Sequence, residues 1–280
     1  MTFNTVQEAR VWASSFLEQH DREPRVGELL LRYLLGVSHS QWLAMGRDSL
    51  DQGLADTFVA WIHEHAETGK PIEHFTKEVD FFDDTFYVDE RVLIPRPETE
   101  ELVLAVLNEL DDGEMVVDVG TGSGVIALSL KGRLKDATVI GTDLSEDALA
   151  VARSNGEQLE RDVLWKSGDF LRPVLDEGIT PDVIVSNPPY IPHAERDSLS
   201  ETVSLHDPAE ALFAEKNGLA SYDTIMKQVM QFDTRPKLIA FEIGYDQGES
   251  VPDLIQSYDP AANVRVLQDI NGKDRIVLWN

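Results

Sequence analysis

The chain has 280 residues, 42% of them apolar and 27% charged, with no cysteine and a formal charge of -27 from 51 acidic against 24 basic residues. The missing thiols exclude disulfides, thiolate zinc sites and a cysteine nucleophile, and no apolar run approaches the length of a membrane span. A chain this acidic repels nucleic-acid phosphates unless basic residues cluster in one groove; no such cluster occurs, which favours a protein or small-molecule substrate.

Met1 to Arg10 lacks the basic flank and apolar core of a secretory signal, so a cytoplasmic protein is expected. Residues 1 to 70 read as a small helical bundle. Val6, Ala9, Ala13, Phe16 and Leu17 make one apolar stripe. Val26, Leu29, Leu30, Tyr33, Leu34 and Val37 make a second, and Leu54, Phe58, Trp61 and Ile62 a third, all at helical spacing. Gly36 and Gly46 sit near helix ends. His63 and His65 fall on different faces of such a helix, which suits packing or solvation better than metal binding. The bundle carries no catalytic constellation, so its role is to support the fold or to grip a partner.

The periodicity changes after Gly69. Residues 71 to 96 read as a hairpin linker: Glu78 to Val88 is rich in Val, Phe and Tyr, with an Asp83-Asp84 turn in its middle. Pro97 suits the first turn of a helix over 97 to 110, and Glu98, Glu100 and Glu101 suit its positive end. From there to residue 280 strands and helices alternate. Strands are expected at Met115 to Val119, Thr138 to Thr142, Val163 to Lys166, Asp182 to Ser186 and Lys237 to Ile243. Helices are expected between them, notably Val125 to Lys131 and Glu146 to Ser154. This pattern builds an α/β, doubly wound parallel sheet. Val264 to Gln268 and Arg275 to Trp279 flank Asn271-Gly272 and add a closing antiparallel hairpin.

Chemistry gathers at the strand ends. Asp118-Val119-Gly120-Thr121-Gly122-Ser123-Gly124 leaves the first strand and opens a helix, where glycines let a ligand approach the backbone. Val125 stands where a dinucleotide fingerprint wants its third glycine, which disfavours NAD. Asp143 ends the second strand, placed to accept the ribose hydroxyls of an adenosine, with Ser145 or Asp143 capping the next helix. Asp169-Phe170 follows the third strand, placed to flank an adenine. The fourth stops at Asn187-Pro188-Pro189-Tyr190. Neither proline has an N-H, so that corner is stiff and rich in acceptors, suited to holding an NH2 group. Taken alone it is also an ordinary strand-ending turn.

Together these segments resemble a class I S-adenosylmethionine-dependent methyltransferase with a Rossmann-like sheet, acting on an amide or amino nitrogen. Leu93-Ile94-Pro95-Arg96-Pro97-Glu98-Thr99-Glu100 and the preceding helices resemble the peptide chain release factor glutamine methyltransferases. The likeness runs on through Asp207 to Leu212, Glu242-Ile243-Gly244, Gln247-Gly248 and Asp269 to Arg275. His74, Lys77 and Asp207 depart from the family's usual residues, at the linker and in one loop. The resemblance implies S-adenosylmethionine as cofactor, S-adenosylhomocysteine as product, and as substrate the glutamine of a release factor's Gly-Gly-Gln motif. No direct nucleic-acid contact, no membrane and a monomer are expected. Cofactor contacts are expected from Asp118, Gly120, Thr121, Gly122, Ser123, Gly124, Asp143, Phe170 and Asn187. Asn187, Pro188, Pro189 and Tyr190 are expected to hold the substrate amide, with Tyr190 packed on its flat face. Arg96, Asp169 and Glu242 resemble positions near the pocket and receive no role from the sequence.

Two other readings differ in kind. An adenine-N6 methyltransferase also needs a gripped NH2, but the charge and the lack of a long basic recognition segment oppose it. A non-catalytic module on a degenerate nucleotide fold is opposed by the intact glycine loop and the intact Asn187 to Tyr190 corner.

Overall fold

A computed structural model describes all 280 residues. They form two compact units, one of residues 1–78 and 200–206, the other of 79–199 and 207–280. No helix is long and apolar enough to cross a membrane.

The first unit comprises α1 (Val6–Gln19), α2 (Arg25–Leu35), α3 (His39–Ala44), α4 (Gln52–Thr68) and α5 (Ile72–Thr76). Thr5, Ser38 and Asp51 cap α1, α3 and α4 with their side chains, satisfying amides that a helix start leaves without partners. The expected stripes face the core with one shift. On α2 the buried residues are Val26, Gly27, Leu30 and Leu31, while Tyr33 is exposed. Gly27 explains the shift: a Cβ there would lie 2.8 Å from the Ala13 Cβ, so α1 and α2 touch through their smallest residues. His65 is buried with Nδ1 against the Lys70 carbonyl at 2.7 Å, a packing role. A late segment, Ser200–His206, joins this unit. Arg22 pairs with Glu201 at 2.7 Å, and His206 Nε2 lies 2.8 Å from the Thr68 carbonyl.

The hairpin β1 (Glu78–Phe81) and β2 (Asp84–Tyr87) follows, the second unit beginning at Val79 within it. Its turn residues are Phe82 and Asp83, at φ 51° and 70°, one place earlier than the acidic pair suggests. Two successive left-handed residues give the turn a twist that matches the strands. Then follow α6 (Pro97–Leu107), β3 (Met115–Val119), α7 (Val125–Arg133), β4 (Thr138–Asp143), α8 (Glu146–Gln158), β5 (Leu164–Ser167), α9 (Arg172–Asp176) and β6 (Val183–Ser186). A short pair, β7 (Ile191–Pro192) with β8 (Phe213–Ala214), brackets the excursion through α10 (Glu201–His206) and α11 (Ala209–Leu212). The chain ends with α12 (Ala220–Val229), β9 (Leu238–Glu242), α13 (Ser250–Tyr258), β10 (Val264–Gln268) and β11 (Asp274–Trp279).

Seven strands form one sheet in the order β10-β11-β9-β6-β3-β4-β5. All pairings are parallel except those of β11 with β10 and β9, so the closing hairpin is present. Alternate residues sort to the two faces. Val116, Val183, Val185, Ala240 and Leu278 pack with Leu102, Val106, Ile126 and Leu130 of α6 and α7. Val117, Ile184, Ile239, Phe241 and Val277 pack with Ile225, Met226, Val251 and Ile255 of α12 and α13. Burial on both faces is what continuous apolar strands require. The chain goes from β3 out to β5 and then returns to β6 beside β3. That switch opens a crevice at the carboxyl ends of β3 and β6.

Candidate functional site

A cavity of about 230 Å³ sits at this crevice, lined by Arg91 to Leu93, Gly120, Gly122, Asp143 to Ser145, Ala148, Asp169, Phe170, Asn187, Pro189, Pro208, Glu210 and Ala211. The ends of β3, β4, β5 and β6 therefore converge on one space, as their register predicts.

The glycine turn is built by backbone bonds. The amides of Gly120 and Thr121 both donate to the Thr142 carbonyl at 2.9 Å. Gly120 and Gly122 have positive φ and nothing within 4 Å of where a Cβ would stand, so bare backbone faces the cavity. Asp118, Thr121, Ser123 and Gly124 lie outside the lining and are buried behind the turn. There Asp118 Oδ2 accepts the Thr121 hydroxyl at 2.6 Å and the Ala127 amide at 3.1 Å. Its Oδ1 is buried with no partner, and burial pushes the carboxyl up to about 7. These four residues brace the loop rather than wall the cavity.

Asp143 does line it. Its two oxygens accept the amides of Gly122 at 2.8 Å and Ser145 at 2.9 Å, tying the glycine turn to the start of α8. Ser145, not Asp143, is the helix cap, its hydroxyl accepting from the Ala148 amide. Burial raises the Asp143 carboxyl above its ordinary value. Phe170 stands at φ 49°, an uncommon conformation for an aromatic residue. Gln228 of α12 holds it there: its Oε1 accepts the Leu171 amide at 2.7 Å and its Nε2 donates to the Asp169 carbonyl at 3.2 Å. Nothing local in the sequence identifies Gln228, 57 residues further on.

Asn187 and Pro189 border the cavity, whereas Pro188 is buried and Tyr190 is half-buried against the α12 side of the sheet. The Pro189 and Tyr190 carbonyls are occupied, accepting from the Ser221 hydroxyl at 2.9 Å and Gln247 Nε2 at 3.2 Å. A Cβ at Gly218 would lie 2.1 Å from the Tyr190 oxygen, so glycine is required there. The corner is thus fixed from three sides. Asn187 Nδ2 donates to Thr99 Oγ1 at 3.2 Å, and that hydroxyl donates to Glu242 Oε2 at 2.7 Å. Glu242 is 1% exposed, and burial pushes its carboxyl up to about 7. Arg96 pairs with Asp207 at 2.5 Å, and the Ile94 amide reaches the other Asp207 oxygen at 3.4 Å. Asp207, one of the three residues that depart from the family's pattern, is therefore an ion-pair partner.

The lining offers three carboxylates, from Asp143, Asp169 and Glu210, against one cation, Arg91, which Asp89 holds at 2.6 Å. Apolar walls come from Val92, Leu93, Leu144, Phe170 and Ala211. An acidic, half-apolar space beside bare glycine backbone suits a cationic adenosine derivative and opposes an anionic pyrophosphate.

Comparisons with known proteins place the chain in a family. Residues 98–215 match the methyltransferase small domain and residues 8–76 the PrmC N-terminal domain. The chain is 39% identical over 277 residues to a Bacillus anthracis release factor glutamine methyltransferase, covering 97% of this chain and 98% of the relative. It is 40% identical over 279 residues to that of Bacillus subtilis, covering 98% and 96%. Among solved structures, the N-terminal domain of human METTL16 in complex with SAH shares the fold, with a TM-score of 0.51 at 15% identity, covering 89% of this chain and 93% of that one.

Proposed function

Since the chain belongs to the release factor glutamine methyltransferase family, we propose that its Asn187 corner presents a release factor's glutamine amide to a methyl donor held over the glycine turn. It is an S-adenosylmethionine-dependent enzyme that methylates the side-chain nitrogen of glutamine. Adenine-N6 methylation of nucleic acid is not favoured. The observation that carries the reading is the Asn187 amide: its NH2 end is tied back to Thr99, which leaves its oxygen to accept.

When bound, S-adenosylmethionine supplies an electrophilic methyl group on a sulfonium sulfur. We assign its binding to Gly120, Gly122, Asp143, Asp169 and Phe170, with Asn187 at the boundary. Asp143 accepts the ribose hydroxyls with lone pairs its two amide partners leave over. Phe170 and Leu144 flank the adenine, and the three carboxylates favour the positive charge.

An amide nitrogen is a weak nucleophile because its lone pair is shared with the carbonyl. Asn187 Oδ1 and the Pro188 carbonyl accept the two N-H groups of the substrate amide and turn its nitrogen toward the methyl. As the nitrogen bonds, the charge arriving there meets two oriented acceptors. No base acts before transfer; the proton leaves afterwards, and the corner contains no His or Lys. Pro189 stiffens the corner. Tyr190 supports it from behind rather than stacking on the amide.

We take the substrate motif to be Gly-Gly-Gln, as the family resemblance implies, two side-chain-free neighbours leaving the glutamine able to reach the cavity. The bundle of residues 1–70 grips the partner, the 71–96 linker joins it, and residues 97–280 carry the chemistry. The working form is a cytoplasmic monomer, acting where release factors act. The test is Asn187→Ala: kcat should fall about 100-fold or more, read as methyl added to the release factor glutamine by mass spectrometry, with calorimetric cofactor affinity nearly unchanged. Near-normal turnover by this variant would remove the assignment.

A further inference from the structure

Asn187 can serve as an acceptor only if its amide is turned one way round, and the two ends of an amide have nearly the same shape. Something has to choose between them. Thr99 Oγ1 lies between Asn187 Nδ2 and Glu242 Oε2, at 3.2 and 2.7 Å. A hydroxyl has a single proton. Given to the carboxylate, that proton leaves only lone pairs facing Asn187, so the amide must offer its NH2 to Thr99 and its oxygen to the cavity.

Resting on the reading of Asn187 given above, we propose that the buried Glu242 carboxylate, acting through the Thr99 hydroxyl and on the Asn187 NH2 itself, fixes which end of the Asn187 amide faces the substrate. Glu242 and Thr99 are therefore positioning residues for the transfer. They come from strand β9 and helix α6, while Asn187 follows β6, so three elements meet behind the corner.

The proton on Glu242 controls this relay. A protonated Glu242 can donate to Thr99, whose own proton then turns to Asn187 and selects the amide oxygen, leaving the NH2 to face the substrate. Only the ionised form holds the competent arrangement. Burial, opposed by the Thr99 bond, by Arg275 and by the Asn187 amide, whose NH2 also reaches the carboxylate directly, and reinforced by Glu98, brings this titration to about 7. The Arg275 guanidinium is shared with Asp269 at 3.3 Å and the Ile243 carbonyl at 3.2 Å. The Tyr190 phenol lies in the same field, and the Tyr222 hydroxyl donates to the Glu242 main-chain carbonyl at 2.7 Å. Neither tyrosine titrates near neutrality, because burial pushes both phenols up.

The experiment measures kcat, KM for S-adenosylmethionine and its calorimetric Kd between pH 6 and 9, using full-length enzyme and a release factor. Wild-type kcat should rise as pH increases through about 7 and then level off. Glu242→Gln should flatten that step and lower the plateau about 10- to 100-fold, with cofactor Kd within about threefold of wild type. Thr99→Val should behave alike, and Thr99→Ser should recover most of the loss. Wild-type kcat in Glu242→Gln or Thr99→Val, a retained pH step in Glu242→Gln, or cofactor affinity falling in step with kcat overturns the relay. Asn187→Ala separates the two claims. If it is inactive while Glu242→Gln is normal, only the relay fails; if it is active, the site reading fails and the relay with it.

Discussion

The glycine turn rests on an indole, and this makes Gly141→Ala a sharp perturbation. Gly141 lies in β4 opposite Asp118 of β3 and Trp165 of β5. A Cβ at Gly141 would stand 2.5 Å from Trp165 Cζ3, 2.6 Å from its Cε3 and 3.1 Å from Thr121 Oγ1. The same ring lies 3.0 Å from the Cβ position of Gly124 and 3.6 Å from that of Gly156. Trp165 thus fills a slot between three glycines directly behind the cofactor loop. An added methyl must displace the ring by about 1 Å, since carbons pack at about 3.5 Å or more. Overpacking of this kind costs about 1–3 kcal/mol. At about 2–4 °C per kcal/mol for a domain of this size, Tm should fall by roughly 2–12 °C. The Kd for S-adenosylmethionine should rise as well, because the methyl also presses on Thr121, whose hydroxyl ties the turn to Asp118. Leucine at 165 ends short of the crowded atoms. Trp165→Leu therefore destabilises alone, but the double variant should lie about 1 kcal/mol or more above additivity. Urea denaturation of the four proteins gives the cycle. An unchanged Tm in Gly141→Ala, or strictly additive effects, would refute the packing argument.

Asp143→Ala leaves the amides of Gly122 and Ser145 without acceptors and should raise the calorimetric Kd for S-adenosylmethionine by about 10- to 100-fold, from loss of charge-assisted bonds of about 1.5–3 kcal/mol; unchanged affinity removes Asp143 from the site. Asp118 has a folded carboxyl pushed up to about 7 against an ordinary 3.8. The folded state then keeps a proton the unfolded chain has released. Its contribution to stability is full below the unfolded value and is lost as pH rises toward 7, at up to about 1.4 kcal/mol per pH unit. Asp118→Asn removes that slope, so its stability relative to wild type should improve between pH 5.5 and 8 in urea titrations; a relative loss over that range would contradict it. Gln228→Ala releases the Leu171 amide and the strained Phe170 turn and should weaken cofactor binding without touching the cavity wall. The readout is calorimetry, and wild-type affinity would count against the turn's role.

What could be read from the sequence was what local chemistry dictates. Strand ends, the glycine turn and the stiff Asn187 corner are each encoded in a few consecutive residues, and each stands within a residue or so of its expected place. Asp143 and Ser145 were legible as residue types, but which one caps α8 was a question of geometry. Contacts across the fold left no local trace. Gln228, Thr99 and Trp165 act on loops 57, 88 and 41 residues away in number, and only the packing of α12, α6 and β5 brings them there. The Tyr190 ring, expected to pack on the substrate amide, also packs against the α12 side of the sheet, and the hold of Ser221 and Gln247 on the Pro189 and Tyr190 carbonyls is a contact no local sequence signal announces. Glu242 did leave a signal, as a lone carboxylate in the apolar run Leu238-Ile239-Ala240-Phe241-Glu242-Ile243. A buried charge in a strand needs a partner, and that requirement alone marks the position for scrutiny.

The acidity of this site has a function distinct from the acidity of the surface. Exposed carboxylates are screened by salt within about 10 Å and say little about the reaction. Glu242, 1% exposed, is not screened in that way. From it a carboxylate, a hydroxyl and an amide line up: Glu242 accepts from Thr99 and Thr99 from Asn187, which leaves the Asn187 oxygen for the substrate N-H of the proposed site. Such chains polarise cooperatively, so a negative charge held two groups back strengthens the acceptor at the front. A carboxylate placed directly on the substrate could take its proton and would pull the amide off line. Set behind Thr99 and Asn187, in the proposed reaction it lends potential without offering itself as a base, as a transfer to a neutral nitrogen with later proton loss would require.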